Sequence, residues 1–140
     1  KDTEDKILFL VQKLGISEFI EFTGSVSPEE MPQLLKSSKI LALARPYNIQ
    51  AKYGFATKIG EYLMTGRPIV ITRVGVIHDY ENCIMAKPDD PDDFANKLLW
   101  TIENYDQAIT IGKKGKLAAL KYFDSTKEAT KIYNIVNSSI

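Results

Sequence analysis

The sequence predicts an α/β fold in which a parallel sheet is flanked by helices, and three observations favour it. Short apolar runs alternate with longer segments of helical periodicity along the 140 residues, as in successive βαβ units. Residues 40–44 are apolar at every position, which is typical of a strand buried on both faces. Hydrophobic residues make up 44% of the chain, enough for one globular core. We therefore interpret residues 1–140 as a single domain.

The first part of the chain predicts a helix, a strand and a second helix. Apolar residues recur at helical spacing over residues 7–14, and Gly15 provides the stop. Residues 19–23 alternate between apolar and polar side chains and predict a short strand. Ser27 and Glu30 have the spacing of a capping box, which predicts that the next helix begins there.

The middle of the chain carries the strands of the predicted parallel sheet. After the strand at residues 40–44, residues 45–53 are interpreted as a loop that leads into a helix ending at Gly66. Two further strands are predicted at residues 69–72 and 84–86. Ligands of such sheets bind at the carboxyl ends of the strands, so the loops that follow the strands are the candidate site.

The last part of the chain is predicted to be helical. Asp90 provides a cap and Pro91 a favourable first turn for one helix, and a second helix follows through residues 109–120. Ser125 and Glu128 have the spacing of another capping box, which predicts a last helix.

The composition excludes several classes of function. Eighteen Lys and Arg residues balance 18 Asp and Glu residues, so there is no bulk electrostatic reason to expect nucleic acid as a partner. Cys83 is the single cysteine and His78 the single histidine, which excludes an internal disulfide and argues against a metal site. Cys83 is interpreted as a buried or idle thiol. No apolar run reaches the length of a membrane span, and we expect a cytoplasmic protein.

The most informative segment is residues 54–70, where a glycine-bearing loop enters a helix just beyond a buried strand. Backbone amides near residues 55–58 are expected to face an anion, and Lys58 adds a charged donor. Glu61, one turn further on, is able to accept hydrogen bonds from the vicinal hydroxyls of a ribose. The alternative is that Lys58 and Glu61 form an exposed ion pair, and spacing alone does not decide between the two.

Residues 54–70 resemble the signature of the retaining GT-B glycosyltransferases of the large glycosyl transferases group 1, or family 4, type. That signature combines a Gly-Phe-rich loop, a helix ending in Gly-x-Pro and a buried strand after it. The similarity extends to residues 22–31, 75–80 and 88–95, so that essentially the whole chain aligns in order. The resemblance implies a Rossmann-like sheet and the carboxyl-terminal, donor-binding half of a GT-B enzyme.

The resemblance also implies roles for particular residues. Glu61 takes the place of the glutamate that binds the ribose of the donor nucleotide, and Tyr53 takes the place of the glutamate that contacts the donor sugar. Lys58 is expected to face the diphosphate or the sugar, Arg45 is either an extra phosphate contact or a solvated loop residue, and Val26 borders the base. The donor-binding candidates are therefore Val26, Arg45, Tyr53, Gly54, Phe55, Ala56, Thr57, Lys58 and Glu61. His78 is either a further contact to the donor pocket or an ordinary polar loop residue.

Two departures from the family pattern limit the expected activity. A phenol at Tyr53 cannot replace a carboxylate as an anionic acceptor, which affects sugar selectivity and catalysis. The family's first, central strand and the Arg and Lys that follow it have no counterpart in this sequence, so the sheet apparently lacks its first strand. We therefore expect a fragment of a longer two-domain protein, and we assign no catalytic residue within it.

The function implied by the resemblance is transfer of a sugar from a nucleoside diphosphate sugar to a glycan or lipid-linked acceptor. The fragment is expected to be inactive without an amino-terminal acceptor domain. No metal or other cofactor is expected, and no insertion into a membrane, although the full-length protein could associate with one peripherally. Two alternatives stay open: a non-catalytic GT-B-like binding or scaffold domain, and one half of a nucleotide-sugar epimerase.

Overall fold

The computed structural model describes residues 2–54, 56–75 and 82–138. The chain forms two compact units, residues 1–31 and residues 32–140. No helix within the described ranges is long and apolar enough to cross a membrane.

The first unit begins with helix α1, Asp2–Lys13. The helix ends as predicted at Gly15, whose amide donates to the carbonyl of Gln12 while the Ile16 amide donates to the carbonyl of Val11. A single 3-10 turn, Ser17–Phe19, follows. Further on, the Ser27 hydroxyl oxygen accepts a hydrogen bond from the Glu30 amide at 3.2 Å and its hydroxyl donates to the Glu30 carboxylate at 2.9 Å. The predicted pairing of these two side chains is therefore present just before helix α2, Met31–Ser37.

The strand predicted at residues 19–23 is wrong. Residue 19 belongs to the 3-10 turn, and residues 20–24 pair with no strand among the described residues. The side chains of Phe19 and Phe22 are 78% and 48% exposed. Alternating polarity records only the period of the side chains, whereas a strand also needs a neighbour that takes up its backbone hydrogen bonds.

The second unit contains the predicted parallel sheet. Its strands are β1, Leu41–Leu43, β2, Ile69–Thr72, and β3, Ile84–Ala86. In the described residues they lie in the order β1-β2-β3, and all pairs are parallel. Every residue of β2 is buried, which explains the apolar side chains at residues 69–71; the polar Thr72 ends the strand. The prediction of a helix-flanked parallel sheet is confirmed.

Five helices of the described chain accompany these strands. They are α3, Ile49–Tyr53, α4, Lys58–Thr65, α5, Pro91–Glu103, α6, Tyr105–Tyr122, and α7, Ser125–Ser138. The local signals behave as predicted in two of them. Gly66 ends α4 with a left-handed backbone at φ 72°, a conformation that glycine adopts without strain. Asp90 caps α5 by accepting a hydrogen bond from the Asp93 amide at 2.9 Å.

The cap of α7 differs from the prediction. Asp124, and not Ser125, provides it, because one carboxylate oxygen accepts from the amides of both Thr126 and Lys127, at 3.1 and 3.2 Å. Ser125 is already the first helical residue. A carboxylate has two oxygens and a full charge to offer the first amides of a helix, and it therefore prevails over the neighbouring hydroxyl.

The sheet separates two apolar clusters, as expected when successive strand residues point to opposite faces. On one face, Ile69 and Ile71 of β2 pack with Ile59 and Leu63 of α4. On the other face, Val70 of β2 belongs to a cluster that also holds residues of β3, α5 and α6. Helix α4 is thus anchored by two fully buried side chains, and this leaves its opposite face available to solvent.

Candidate active site

The carboxyl ends of the three strands lie at one edge of the sheet, because all of them run parallel. The loops after Leu43, Thr72 and Ala86 therefore converge there. This edge is where ligands bind in parallel α/β sheets. Almost all of the predicted donor-binding residues follow β1, on the segment that leads to α4.

The segment after β1 is tied to β2 through a threonine. The Arg45 amide donates to the Thr72 hydroxyl oxygen at 2.8 Å, and the Thr72 hydroxyl donates to the Arg45 carbonyl at 2.9 Å. Thr72 is only 4% exposed, so water competes little for these bonds. The pair fixes the backbone at the point where Arg45 leaves the sheet.

Arg45 is half-buried, and one nitrogen of its guanidinium has no contact with solvent. Its Nη1 atom is buried and has no hydrogen-bond partner among the described residues, and its Nη2 atom lies 3.9 Å from the position that a Cβ on Gly54 would occupy. Leaving such a charged donor without an acceptor costs more than the ~1–3 kcal/mol of a neutral buried group. Arg45 as a whole is half-buried, so it is not a fully solvated loop residue.

Helix α3, within the predicted loop at residues 45–53, is a feature that the sequence prediction missed. Asn48 caps it by accepting from the Ala51 amide at 2.7 Å. The Tyr47 amide, just before the cap, donates to both carboxylate oxygens of Asp89 at 3.1 and 3.2 Å. Asn48 was the local signal for this short helix, but the contact with Asp89 joins residues 42 positions apart and could not be inferred from spacing.

Two glycines allow the loops to come close together. A Cβ on Gly54 would lie 2.5 Å from the carbonyl oxygen of Gln50, and a Cβ on Gly75 would lie 2.5 Å from that of Ala51. Gly75 also has a left-handed backbone with φ 62°. The loop after β2 therefore packs against the end of α3 backbone to backbone, which side chains at these positions would prevent.

Helix α4 presents the predicted polar groups in its first turn. The amides of Ile59 and Gly60 donate to the carbonyls of Ala56 and Thr57, at 2.9 and 3.2 Å. Thr57 and Lys58 are exposed and Ala56 is half-buried. The Ile59 and Gly60 amides are therefore already engaged, and what the start of α4 offers to an anion is the positive end of the helix dipole together with the Lys58 ammonium.

Lys58 and Glu61 lie on the same face of α4 but are not joined by an ion pair. Both side chains are exposed, and no hydrogen bond or ion pair of either is found in the described part of the chain. The pKa of the neighbouring Tyr62 phenol is raised, mainly by burial and to a smaller extent by the nearby Glu61 carboxylate. Glu61 therefore stands as a negatively charged acceptor beside a half-buried phenol, with its oxygens available.

The remaining sequence predictions have different outcomes. Tyr53 is 75% exposed at the end of α3, with the Lys52 ammonium 5.3 Å from its ring centroid. Val26 is half-buried and belongs to the amino-terminal unit. Phe55 and His78 lie outside the described residues.

The prediction for Cys83 is confirmed. Its side chain is buried in the apolar cluster beneath α4, and burial raises its thiol pKa to about 12. A neutral thiol in an apolar setting is a poor nucleophile, so Cys83 has a structural role. In the described part of the chain, no three His, Cys, Asp or Glu side chains are grouped as metal ligands would be.

A cavity of about 410 Å³ opens beside the segment that follows β1. Its walls come from residues 44–46, from Thr72, and from the turn between β3 and α5 at residues 87–94. It lies at the carboxyl ends of all three strands, next to Arg45. The recess and the start of α4 therefore both lie at the carboxyl edge of the sheet, and Arg45 lines the recess.

A parallel sheet with a helix start and basic groups at its carboxyl edge defines the class of Rossmann-like ligand-binding domains. Within that class, a sequence model described as glycosyl transferases group 1 matches residues 2–104. The chain belongs to this family of glycosyltransferases.

A curated relative and two solved structures show how far the likeness reaches. The chain is 24% identical over 136 residues to an MMP alpha-(1->4)-mannosyltransferase of Mycolicibacterium hassiacum, covering 94% of the chain and 32% of the relative. HepE of Anabaena, solved in complex with UDP and glucose, matches with a TM-score of 0.83 and 21% identity over 98% of the chain and 37% of that structure. The carboxyl-terminal domain of the group 1 glycosyl transferase LpcC of Francisella tularensis matches with a TM-score of 0.75 and 19% identity, over 89% of the chain and 64% of that structure.

These matches define the fold as that of the carboxyl-terminal half of a GT-B glycosyltransferase. The chain spans about a third of the length of the curated relatives it matches. The Rossmann-like architecture predicted from the sequence is confirmed.

Proposed function

We propose that this chain binds the nucleoside diphosphate sugar donor of a retaining glycosyltransferase. The enzyme transfers the sugar to a glycan or lipid-linked acceptor. The observation that carries the proposal is the first turn of α4, where Lys58 and Glu61 lie unpaired on one exposed face at the positive end of the helix dipole. Bound UDP in the structurally similar HepE supports the same class of ligand.

The two ends of this turn suit two parts of the donor. The diphosphate would lie against the helix start, where the amide dipoles and the Lys58 ammonium favour negative charge. Arg45 would offer its guanidinium to a phosphate oxygen after its side chain turns outward, because its Nη1 atom is buried and has no acceptor among the described residues. Glu61 would accept hydrogen bonds from the ribose hydroxyls, as charged acceptors bind neutral donors strongly.

Stabilisation of the departing diphosphate is the contribution of this chain to the reaction. When the bond between the sugar and the phosphate breaks, negative charge grows on the diphosphate, and fixed dipoles and cations next to it lower the barrier. Two cationic side chains and a helix start supply that charge, so no metal ion is needed in the proposal. We assign no residue of this chain to bond making at the sugar itself.

The acceptor is proposed to bind to a domain outside this chain. Support comes from the curated relatives, which are about three times as long as the matched region. The isolated chain is then expected to bind the donor without transferring sugar. We further propose that the full-length enzyme works in the cytoplasm, with peripheral association to a membrane where its acceptor is lipid-linked.

A non-catalytic donor-binding domain is the second candidate. Tyr53 favours it, since its exposed phenol offers the donor sugar no carboxylate. Nucleotide binding is common to both candidates, whereas sugar transfer by the full-length protein separates them. The second candidate would be supported if the wild-type full-length protein transferred no sugar and the Tyr53→Glu variant did.

The test of donor binding is calorimetric titration of the chain with UDP and with GDP. Glu61→Ala is expected to weaken binding of the preferred nucleotide by about 1–3 kcal/mol, the loss for removing a charged hydrogen-bond partner, which is roughly 5- to 150-fold in Kd. Glu103→Ala is the matched control, since it removes the same charge at the far end of α5. Binding is expected to be equal in EDTA and in Mg²⁺.

Two results would count against the proposal. If a folded wild-type chain bound neither nucleotide, this chain would not be a donor-binding domain. Equal losses in Glu61→Ala and Glu103→Ala would mean that net charge matters and that Glu61 makes no contact with the ribose.

A further inference from the structure

Asp89 has an unusual backbone and a long-range contact. Among the described residues it is the one non-glycine residue with positive φ, at 54°, a conformation that costs most side chains energy but that Asp and Asn tolerate best. From this turn its two carboxylate oxygens accept the hydrogen bond of the Tyr47 amide at 3.1 and 3.2 Å. A side chain in the turn after β3 thus holds the backbone that precedes α3.

The turn that carries Asp89 is itself firmly anchored. Asp90 caps α5 through the Asp93 amide, and the Asp93 carboxylate accepts from the Lys87 amide at 2.7 Å. These bonds close the turn on both sides of Asp89 and attach it to a helix of 13 residues. The Asp89 carboxylate is therefore presented from a rigid base.

Residues 45–47 are held at both ends by hydrogen bonds. Thr72 holds Arg45 from β2 at one end, and Asp89 holds Tyr47 at the other. Between these two points the segment borders the cavity of about 410 Å³, which leaves space for the backbone to move. Because Pro46 and Tyr47 are exposed, packing provides little to keep this end of the segment in place if the bond to Asp89 is lost.

We propose that Asp89 is a positioning residue for the donor-binding loop, by which we mean residues 45–54. By fixing the Tyr47 amide, Asp89 sets where α3 begins. Helix α3 in turn sets the positions of Tyr53 and Gly54, and the Arg45 guanidinium lies close to Gly54. The inference rests on the proposed function, because the loop it positions is the one assigned to the donor. Asp89 itself touches neither the nucleotide nor the sugar.

Three substitutions separate the hydrogen bond from the backbone conformation. Asp89→Asn retains an acceptor oxygen and tolerates positive φ, so UDP or GDP affinity is expected to stay within twofold of wild type. Asp89→Gly adopts this φ without strain but removes the acceptor, and a loss of at least fivefold is expected while the unfolding temperature stays near that of wild type. Asp89→Ala is expected to lower both affinity and thermal stability.

A second measurement follows the loop without any ligand. Amide hydrogen exchange by NMR is expected to show the Tyr47 amide losing protection in Asp89→Gly and keeping it in Asp89→Asn. Asp92→Asn is the control, because it removes a charge from the first turn of α5 but keeps the hydrogen bond between the Tyr47 amide and Asp89. It should change neither the nucleotide affinity nor the exchange of the Tyr47 amide.

The inference is overturned if Asp89→Gly binds the nucleotide with an affinity within twofold of wild type, because the loop would then be positioned without the Asp89 carboxylate. Unchanged protection of the Tyr47 amide in Asp89→Gly would also overturn it. If the wild-type chain bound no nucleotide, the proposed function would fail, and the positioning role for a donor with it. The exchange data would then still decide whether Asp89 holds the loop.

Discussion

Gly112 of α6 offers a sharp test of the packing that holds α4 in place. A Cβ on Gly112 would lie 2.5 Å from the carbonyl carbon and oxygen of Arg67 and 2.6 Å from the carbonyl oxygen of Gly66. All three atoms are backbone, so no side chain can rotate away. In Gly112→Ala, α6 must therefore move outward by about 1 Å to restore ordinary contact distances.

The expected magnitude is the difference between two opposing effects. Overpacking of this kind costs about 1–3 kcal/mol, and replacing glycine by alanine within a helix returns about 0.5–1 kcal/mol. Because the atoms that the new Cβ meets are all backbone, the overpacking cost is taken from the upper part of its range, about 2–3 kcal/mol, and the net loss for Gly112→Ala is about 1–2.5 kcal/mol in the free energy of unfolding. For a chain of this length, this corresponds to a decrease in Tm of roughly 3–9 °C.

Gly60 is the matched control because it lies in α4 with nothing within 4 Å of an added Cβ. Gly60→Ala gains the helix-forming effect without a clash, and it is expected to raise the free energy of unfolding by about 0.5–1 kcal/mol. Thermal and urea unfolding of both variants would check that Gly112→Ala lowers the free energy of unfolding and that Gly60→Ala raises it. The reasoning would be refuted if Gly112→Ala were as stable as wild type, or if both substitutions changed stability in the same direction.

Two further predictions concern a buried thiol and a helix cap. Because folding favours the neutral thiol of Cys83, whose pKa is raised to about 12 from 9.0, its stabilising contribution is complete below about pH 9 and is lost as the pH rises towards 12. The urea midpoint should therefore fall more over this range in wild type than in Cys83→Ala, and equal falls would contradict it. Asp124→Ala should speed the exchange of the Thr126 and Lys127 amides, which the Asp124 carboxylate now holds. Ser125→Ala should leave both rates unchanged, and the reverse pattern would restore Ser125 as the cap.

Elements predicted correctly from the sequence are those whose determinants are local. The strand β2 is predicted at residues 69–72 from three consecutive β-branched apolar residues followed by Thr72, and the structure buries all four of them. The end of α4 at Gly66 and the start of α5 at Asp90 depend on backbone conformations and side-chain bonds within a few positions. The choice between Ser125 and Asp124 as a cap failed because adjacent residues competed for the same amides.

The candidate site was only partly predictable. Lys58 and Glu61 could be found because both lie within one helical turn of a glycine-bearing loop. Whether they pair with each other could not be inferred from their spacing, since the rotamers of exposed side chains decide it. In the described part of the chain they make no ion pair with each other, and their role in a donor site stays a prediction.

By itself the sequence determined the fold class, the family and the polar face of α4, because periodicity, caps and motif residues act over short stretches of chain. Tertiary structure alone decided that residues 19–23 form no strand, that Thr72 holds Arg45, and that Asp89 holds Tyr47. Each of these depends on partners that lie far apart in the sequence. Strand pairs and the hydrogen bonds that hold loops form only when folding brings such partners within hydrogen-bond distance. No local pattern specifies which partner that is.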